Sequence, residues 1–224
     1  MVRIGIIDDN DYELDDIRAA IFTSWKKSSE IAEELDFRTY SLEKTLDFKE
    51  KLEAELLSDI ERREIQSLIV DYKLDSLRKV LAGKDIVEYL RDMVPAFPVV
   101  ILTNAPAGSK QEAEIDPDKV YDKHEFLRIG SNESDEMSLK IYLNIKRYIK
   151  RRTELEASLS AALNELSSRP GADIDVTLLS NISETEVDLS KYVPIDKSLA
   201  EKAFDLSELK GLIEEISKLE SRLE

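Results

Sequence analysis

Five polar residues have the types and the spacing for phosphoryl chemistry, because each follows or ends an apolar run typical of a buried strand. They are Asp8, Asp9, Asp71, Thr103 and Lys123. Three carboxylates close together repel one another unless a cation lies among them. Mg²⁺ prefers oxygen ligands and typically binds one or two carboxylates together with a phosphoryl group. The set therefore predicts a Mg²⁺ site beside a centre for phosphoryl transfer.

Each side chain has a role in that chemistry. The Asp71 carboxylate is the candidate nucleophile toward phosphorus, and Lys123 is the cation that neutralises phosphoryl oxygens. The Thr103 hydroxyl is placed to donate a hydrogen bond to a phosphoryl oxygen and so to report whether the group is present. Phosphoryl transfer depends mainly on positioning and charge stabilisation, and these residue types supply both.

Short apolar runs alternate with longer segments of helical period, which predicts a βαβ protein with a parallel sheet. The predicted strands are Val2–Ile7, Phe37–Tyr40, Ser67–Asp71, Phe97–Leu102 and Val120–Tyr121. The predicted helices cover 12–35, 42–63 and 85–93, with a short one near Gln111. The first, third and fourth strands are almost purely apolar and should be central, whereas the other two are mixed and should lie towards the edges. Functional groups in such sheets collect at the carboxyl ends of the strands, beside the switch in strand order.

The composition excludes several classes of function. A net charge of −16 would repel a phosphate backbone, so DNA is not an expected partner. The sequence has no cysteine and a single histidine, His124, which excludes thiol catalysis and most metal sites that use nitrogen or sulfur ligands. No apolar run is long enough for a membrane span or a signal peptide, and a cytoplasmic location is expected.

The motifs resemble the receiver domain of two-component response regulators over residues 1–150. The matching segments are Ile-Ile-Asp8-Asp9-Asn10, Leu-Ile-Val-Asp71, Val-Val-Ile-Leu-Thr103 and Val-Tyr-Asp-Lys123, together with Gly83 before the third helix. The resemblance implies a flavodoxin-like, doubly wound, five-stranded parallel sheet followed by an α-helical extension. It also implies that Asp71 is the phosphoacceptor, with Thr103 and Lys123 stabilising the phosphoryl group.

The resemblance further assigns the ligands and the partners. Asp9 would bind Mg²⁺ directly, Asp8 directly or through water, and Asp71 and the backbone carbonyl of Lys73 would complete the protein ligands. The phosphoryl group would come from a sensor histidine kinase or a phosphotransfer protein and would be lost by hydrolysis. The only expected reaction is thus phosphorylation and dephosphorylation of the protein's own aspartate, with a downstream protein as the listener.

Three positions depart from the family pattern. His124 stands where a proline usually follows the lysine, and Val120 stands where an aromatic residue usually couples to the threonine. The neighbouring Tyr121 is therefore the candidate aromatic residue of the switch. The loop from Asp71 to Gly83 is also longer than is typical.

Residues 151–224 are predicted to form a helical output region. A helical period runs from Asp135 to Leu166, and a second amphipathic helix closes the sequence. The three-and-four spacing fits a helix packed within its own domain and also a coiled coil between two chains. The length of the first helix favours self-association as a homodimer, with Arg152 paired to a glutamate of the partner. The candidate positions are Ile141, Ile145, Tyr148, Leu155, Leu159, Leu166, Leu209, Leu212, Ile216, Leu219 and Leu223.

Two other functions remain open. One is a degenerate receiver that acts as a protein-interaction module without phosphorylation. The other is a phosphatase resembling the haloacid-dehalogenase family, in which Asp9-Asn10-Asp11 would serve as the Asp-x-Asp motif. Against the phosphatase, Glu13 stands where Thr or Val is usual, and no acidic pair follows Lys123 to complete the metal site.

Overall fold

The computed structural model describes residues 1–29, 31–40, 42, 47–74, 81–104, 116–168 and 176–194. Within these residues the protein forms one five-stranded sheet in which every pair of neighbouring strands is parallel. The strands are β1 Val2–Ile7, β2 Leu35–Thr39, β3 Ser67–Asp71, β4 Val99–Thr103 and β5 Val120–Asp122. Their order is β2-β1-β3-β4-β5, so the fold is flavodoxin-like, as the sequence predicts.

Helices connect the strands and extend the protein beyond the sheet. They are α1 Asp11–Lys27, α2 Phe48–Glu61, α3 Gly83–Met93, α4 Lys123–Phe126, α5 Asn132–Ser167 and α6 Val176–Leu189. A short 3₁₀ helix, Pro117–Lys119, precedes β5. The helix predicted near Gln111 and the final predicted helix with Leu209, Leu212, Ile216, Leu219 and Leu223 lie outside the described residues.

Helices cover both faces of the sheet, and the side chains of each strand point alternately to one face and the other. Ile4 and Ile6 pack in a core with side chains of α1 and α5. Ile7 and Val70 pack in a second core with side chains of α2 and α3. The strand order reverses between β1 and β3, so the carboxyl ends of these two strands mark the place where such folds bind ligands.

The protein divides into two compact units. Of the described residues, the first unit contains those within 1–154 and 191–194, and the second contains 155–168 and 176–190. Among the described residues of the second unit, Leu155, Leu178 and Ile182 are buried. None of the described helices combines the length and the apolar character that crossing a membrane requires.

The first part of α5 belongs to the core of its own chain. Ile141 and Ile145 are buried against α1 and the sheet, and Tyr148 is buried with α2 and α3 residues. These three positions, predicted for self-association, therefore offer no surface to a second chain, and packing within the domain explains their spacing. Leu159 is partly buried and Leu166 is exposed, and self-association through them stays a prediction.

Arg152 also binds within its own chain. Its guanidinium donates hydrogen bonds to the backbone carbonyls of Ile60 at 2.7 Å and Glu61 at 2.8 Å. These carbonyls belong to the last turn of α2, where a helix leaves its carbonyls short of intrahelical partners. The Ile60 carbonyl also accepts a hydrogen bond from the Arg63 N–H at 3.2 Å. The predicted pairing of Arg152 with a glutamate of a partner chain is wrong, because this buried cation caps α2.

The segment 191–194 returns to the first unit after α6. The backbone carbonyl of Lys191 accepts a hydrogen bond from the Ala96 N–H at 2.9 Å. The Tyr192 carbonyl accepts one from the Tyr148 hydroxyl at 2.7 Å, and the two rings stack with centroids 5.8 Å apart. The first unit thus includes chain from both sides of α6.

Candidate functional site

The register of the parallel strands gathers the predicted polar residues at one edge. Ile7 pairs with Val70, so Asp8 and Asp71 come next to each other at the ends of β1 and β3. Asp71 in turn pairs with Leu102, which precedes Thr103. On the far side of β4, Thr103 is paired with Asp122, and Lys123 follows. Asp8, Asp71, Thr103 and Lys123 are all buried at this edge.

Lys123 lies at the centre of the site and is only 3% exposed. Its ammonium nitrogen is 2.8 Å from Asp8 Oδ2 and 2.9 Å from Asp71 Oδ1. It also forms an ion pair with Glu13, in the first turn of α1. One cation is thus shared by three carboxylates, and their formal charges leave the cluster negative by two.

Glu13 is the site residue that sequence reasoning did not assign to the site. Asn10 caps the start of α1 by accepting a hydrogen bond from the Tyr12 N–H at 3.1 Å. The helix therefore begins immediately after the acidic strand end, and its first turn lies over the carboxyl edge. A carboxylate in that turn, close to a lysine at another strand end, is the signal that could have identified Glu13.

The carboxylates of Asp8, Glu13 and Asp71 could together bind a divalent cation. One oxygen from each of Asp8, Glu13 and Asp71 lies within 4.8 Å of the others. Carboxylate oxygens are suitable ligands for Mg²⁺, and a charge of +2 would balance the excess negative charge of the cluster. The donor set therefore fits the predicted metal, with Glu13 joining Asp8 and Asp71.

Burial shapes the protonation of the two strand-end aspartates. Loss of solvent raises the pKa of Asp71 from 3.8 to about 6, although its hydrogen bond to Lys123 acts in the opposite direction. Burial likewise raises the pKa of Asp8, again against the pull of Lys123. For Lys123, burial lowers the pKa, but hydrogen bonds to the three carboxylates outweigh it and the net shift is upward. Above about pH 6, Asp71 is thus predominantly ionised beside a permanently charged lysine.

A cleft of about 610 Å³ opens over the site. Asp71, Thr103 and Lys123 line it, and so do Asp9 and Lys73, the other predicted metal-binding positions. Asp9 is partly buried, and Lys73 lies two residues after the end of β3. The structure therefore brings the predicted metal and phosphoryl residues other than Asp8 to one cavity, and Asp8 contacts Lys123 beside it. The direct ligation assigned to Asp9 and Lys73 stays a prediction.

Gly83 fixes the backbone behind Asp71. A Cβ atom at position 83 would lie 2.1 Å from the Asp71 carbonyl oxygen, far inside van der Waals contact. The Gly83 N–H donates to the Tyr72 carbonyl at 3.3 Å, which joins the start of α3 to the end of β3. A side chain at position 83 would displace the strand end that carries Asp71.

The residues around β5 that depart from the family pattern have distinct positions. Val120 and Tyr121 are buried, and Tyr121 packs beside Phe126 with ring centroids 6.5 Å apart. Burial raises the pKa of Tyr121 to about 12, so its hydroxyl stays protonated. The His124 side chain is exposed. Its backbone N–H donates to Asp122 Oδ1 at 2.9 Å, so the Asp122 carboxylate caps α4. A switching role for Tyr121 stays a prediction.

Comparisons of this chain with protein-family models, with curated proteins and with solved structures find no match.

Proposed function

We propose that the protein is a phosphoacceptor switch that works as response-regulator receivers do, with Asp71 as the acceptor. The observation that carries the proposal is the buried ammonium of Lys123, held between Asp8 and Asp71 at the carboxyl edge of the sheet. Burying ionised groups costs folding free energy, and a cleft with perturbed carboxylates is a candidate chemical site. A charge cluster of this kind is better explained by chemistry than by stability.

The proposed transfer forms one bond and breaks one bond. A carboxylate oxygen of Asp71 attacks the phosphorus atom of a donor, and the bond from phosphorus to the leaving atom breaks. With phosphohistidine on a sensor kinase or a phosphotransfer protein, the electron pair leaves with the imidazole nitrogen. In the return step water attacks phosphorus, inorganic phosphate departs, and the Asp71 carboxylate is restored.

The residues of the cleft divide this work. At neutral pH Asp71 is mainly ionised and can act as the nucleophile, because its pKa of about 6 lies below the ambient pH. Lys123 supplies a positive charge for phosphoryl oxygens, and Thr103 supplies a hydroxyl at the neighbouring strand end. Gly83 allows α3 to approach the Asp71 carbonyl and so holds the acceptor in place.

Mg²⁺ is the proposed cofactor. Asp8 and Asp71 would hold it, with the Glu13 carboxylate close enough to add its charge, and the resemblance to receivers adds Asp9 and the Lys73 carbonyl. When bound, the ion would neutralise part of the charge on the phosphoryl oxygens.

We propose a protein as the receiver of the signal. A phosphoryl group adds nearly two negative charges at Asp71 and competes for the hydrogen bonds of Lys123 and Thr103. The net charge of −16 opposes binding to DNA, whereas the part of α5 after residue 150 and α6 offer surface for a downstream protein or a second copy. The exposed Leu163 and Leu166 of α5 are candidates for that contact.

The test is phosphorylation by a small phosphodonor such as phosphoramidate, followed by intact mass. Wild type should gain one phosphoryl group when Mg²⁺ is present and none with EDTA, and Asp71→Asn should gain none. Asp92→Asn, which removes an exposed carboxylate from α3, is the matched control and should behave as wild type. Equal labelling of wild type and Asp71→Asn would overturn the proposal.

A turnover assay separates the switch from a phosphatase. The switch predicts that a generic phosphate ester is not turned over continuously. Steady hydrolysis that survives Asp71→Asn but is lost in Asp9→Asn would instead assign the site to a haloacid-dehalogenase-like phosphatase.

A further inference from the structure

The ammonium of Lys123 has no hydrogen-bonding capacity to spare. A lysine ammonium carries three N–H donors. Among the described residues, Lys123 pairs with Asp8, Asp71 and Glu13, which occupies all of them. A phosphoryl oxygen at Asp71 can therefore bind Lys123 only if one of these carboxylates gives up its place.

The three carboxylates differ in how easily they can move. Asp71 is part of β3, and Asp8 follows β1 directly and accepts a further hydrogen bond from the Asn10 N–H at 2.9 Å. Both are buried, and both are held by the backbone of the sheet. Glu13 reaches in from α1 on a longer side chain that is 32% exposed, so it can turn into solvent at small cost.

We propose that Glu13 occupies, in the resting protein, the place on Lys123 that a phosphoryl group at Asp71 takes. This inference rests on the proposed function and adds a residue that restrains it. Glu13 is a positioning residue: it holds Lys123 through an ion pair and so keeps the arriving phosphoryl oxygens from that ammonium. Phosphorylation releases Glu13 from Lys123, and the start of α1 is thereby coupled to the state of Asp71.

Two substitutions separate contact from charge. Glu13→Gln keeps the size of the side chain but removes its charge, whereas Glu13→Asp keeps the charge but shortens the reach to Lys123. Asp11→Asn is the matched control, because it removes a carboxylate from the same first turn and the same cleft. If the contact matters, both Glu13 variants should change in the same direction and Asp11→Asn should change much less.

The measurement is the affinity of the full-length protein for beryllofluoride at saturating Mg²⁺, by ¹⁹F NMR or calorimetry. Both Glu13 variants should bind this phosphoryl mimic about tenfold more tightly, because aspartate falls short of Lys123 and glutamine offers it only a neutral, weaker acceptor that is easier to displace. Their rates of phosphorylation by phosphoramidate should rise in parallel. A merely structural role for Glu13 would instead weaken binding and lower the unfolding midpoint together.

Each other outcome counts against the inference. Unchanged or weaker binding by both Glu13 variants, with normal binding by wild type, overturns the role of Glu13 and leaves the proposed function standing. An equal gain in Asp11→Asn, or a gain in Glu13→Gln alone, shows that charge and not occupancy of Lys123 is responsible, and also overturns it. If wild type neither binds beryllofluoride nor accepts phosphate, the proposed function fails and this inference fails with it.

Discussion

Asp71→Asn should make the metal-free protein more stable at neutral pH, even though it removes the proposed acceptor. Burial, with repulsion from Asp8 and Glu13, holds the pKa of Asp71 at about 6 in the folded protein against 3.8 for an exposed aspartate, despite Lys123. Because the folded pKa is the higher one, the protonated carboxyl favours the fold. That contribution is complete below about pH 4 and is lost as the pH rises through about 6. The difference of roughly two pKa units corresponds to about 3 kcal/mol at neutral pH.

The assay is urea unfolding in EDTA, followed by circular dichroism between about pH 4 and pH 8. Asparagine cannot ionise, so the free energy of unfolding of Asp71→Asn should match that of wild type near pH 4. It should exceed the wild-type value by about 3 kcal/mol above pH 7. Added Mg²⁺ should stabilise wild type and narrow the gap, because the ion binds the folded carboxylates.

The control for this experiment is Asp92→Asn, whose carboxylate is 69% exposed on α3. It should change the free energy of unfolding by less than about 0.5 kcal/mol at every pH. A lower free energy of unfolding for Asp71→Asn than for wild type, at neutral pH without metal, would show that the ionised Asp71 carboxylate does not destabilise the fold.

Three further substitutions test the supports of the fold. Gly83→Ala places a methyl group against the Asp71 carbonyl, so the urea midpoint should fall by the equivalent of about 1–3 kcal/mol and phosphorylation should slow; an unchanged midpoint would contradict the contact. Arg152→Leu removes the charged donors from the Ile60 and Glu61 carbonyls and should cost about 2–4 kcal/mol, whereas Arg151→Leu on the exposed side of α5 should cost little; equal effects would refute the capping role. Hydrogen bonds from a lysine and a tyrosine of α5 lower the pKa of Glu33 to about 2, so its contribution to the free energy of unfolding is present above about pH 4.5 and lost as the pH falls toward 2. The free energy of unfolding of Glu33→Gln should therefore fall less steeply with acid than that of wild type.

The sheet could be predicted because its central strands are short, almost purely apolar runs that stand out from the charged segments around them. Ser67–Asp71 is buried along its whole length, and its apolar residues have no helical period. The helix ends were harder: α1 stops at Lys27, well before the predicted end near Leu35. The residues between Lys27 and Leu35 are mostly polar, and no pattern in them marks where α1 ends and β2 begins.

The strand-end part of the site followed from the same signal, since parallel strands bring their carboxyl ends together. Glu13 did not, because its place depends on how a long side chain turns back from a helix towards Lys123. A helical period also says which residues share a face but not what covers that face. Ile141 and Tyr148 fit a coiled coil as well as a core, and only the three-dimensional packing showed that their own chain covers them.

Locating the phosphoryl group on the protein tests whether Asp71 is the acceptor. After treatment with phosphoramidate and Mg²⁺, borohydride reduces an aspartyl phosphate to homoserine, which peptide mass spectrometry places in the sequence. We expect homoserine at position 71 in the presence of Mg²⁺ and none in EDTA. An unmodified Asp71, or a phosphoryl group found on another residue such as His124, would contradict it.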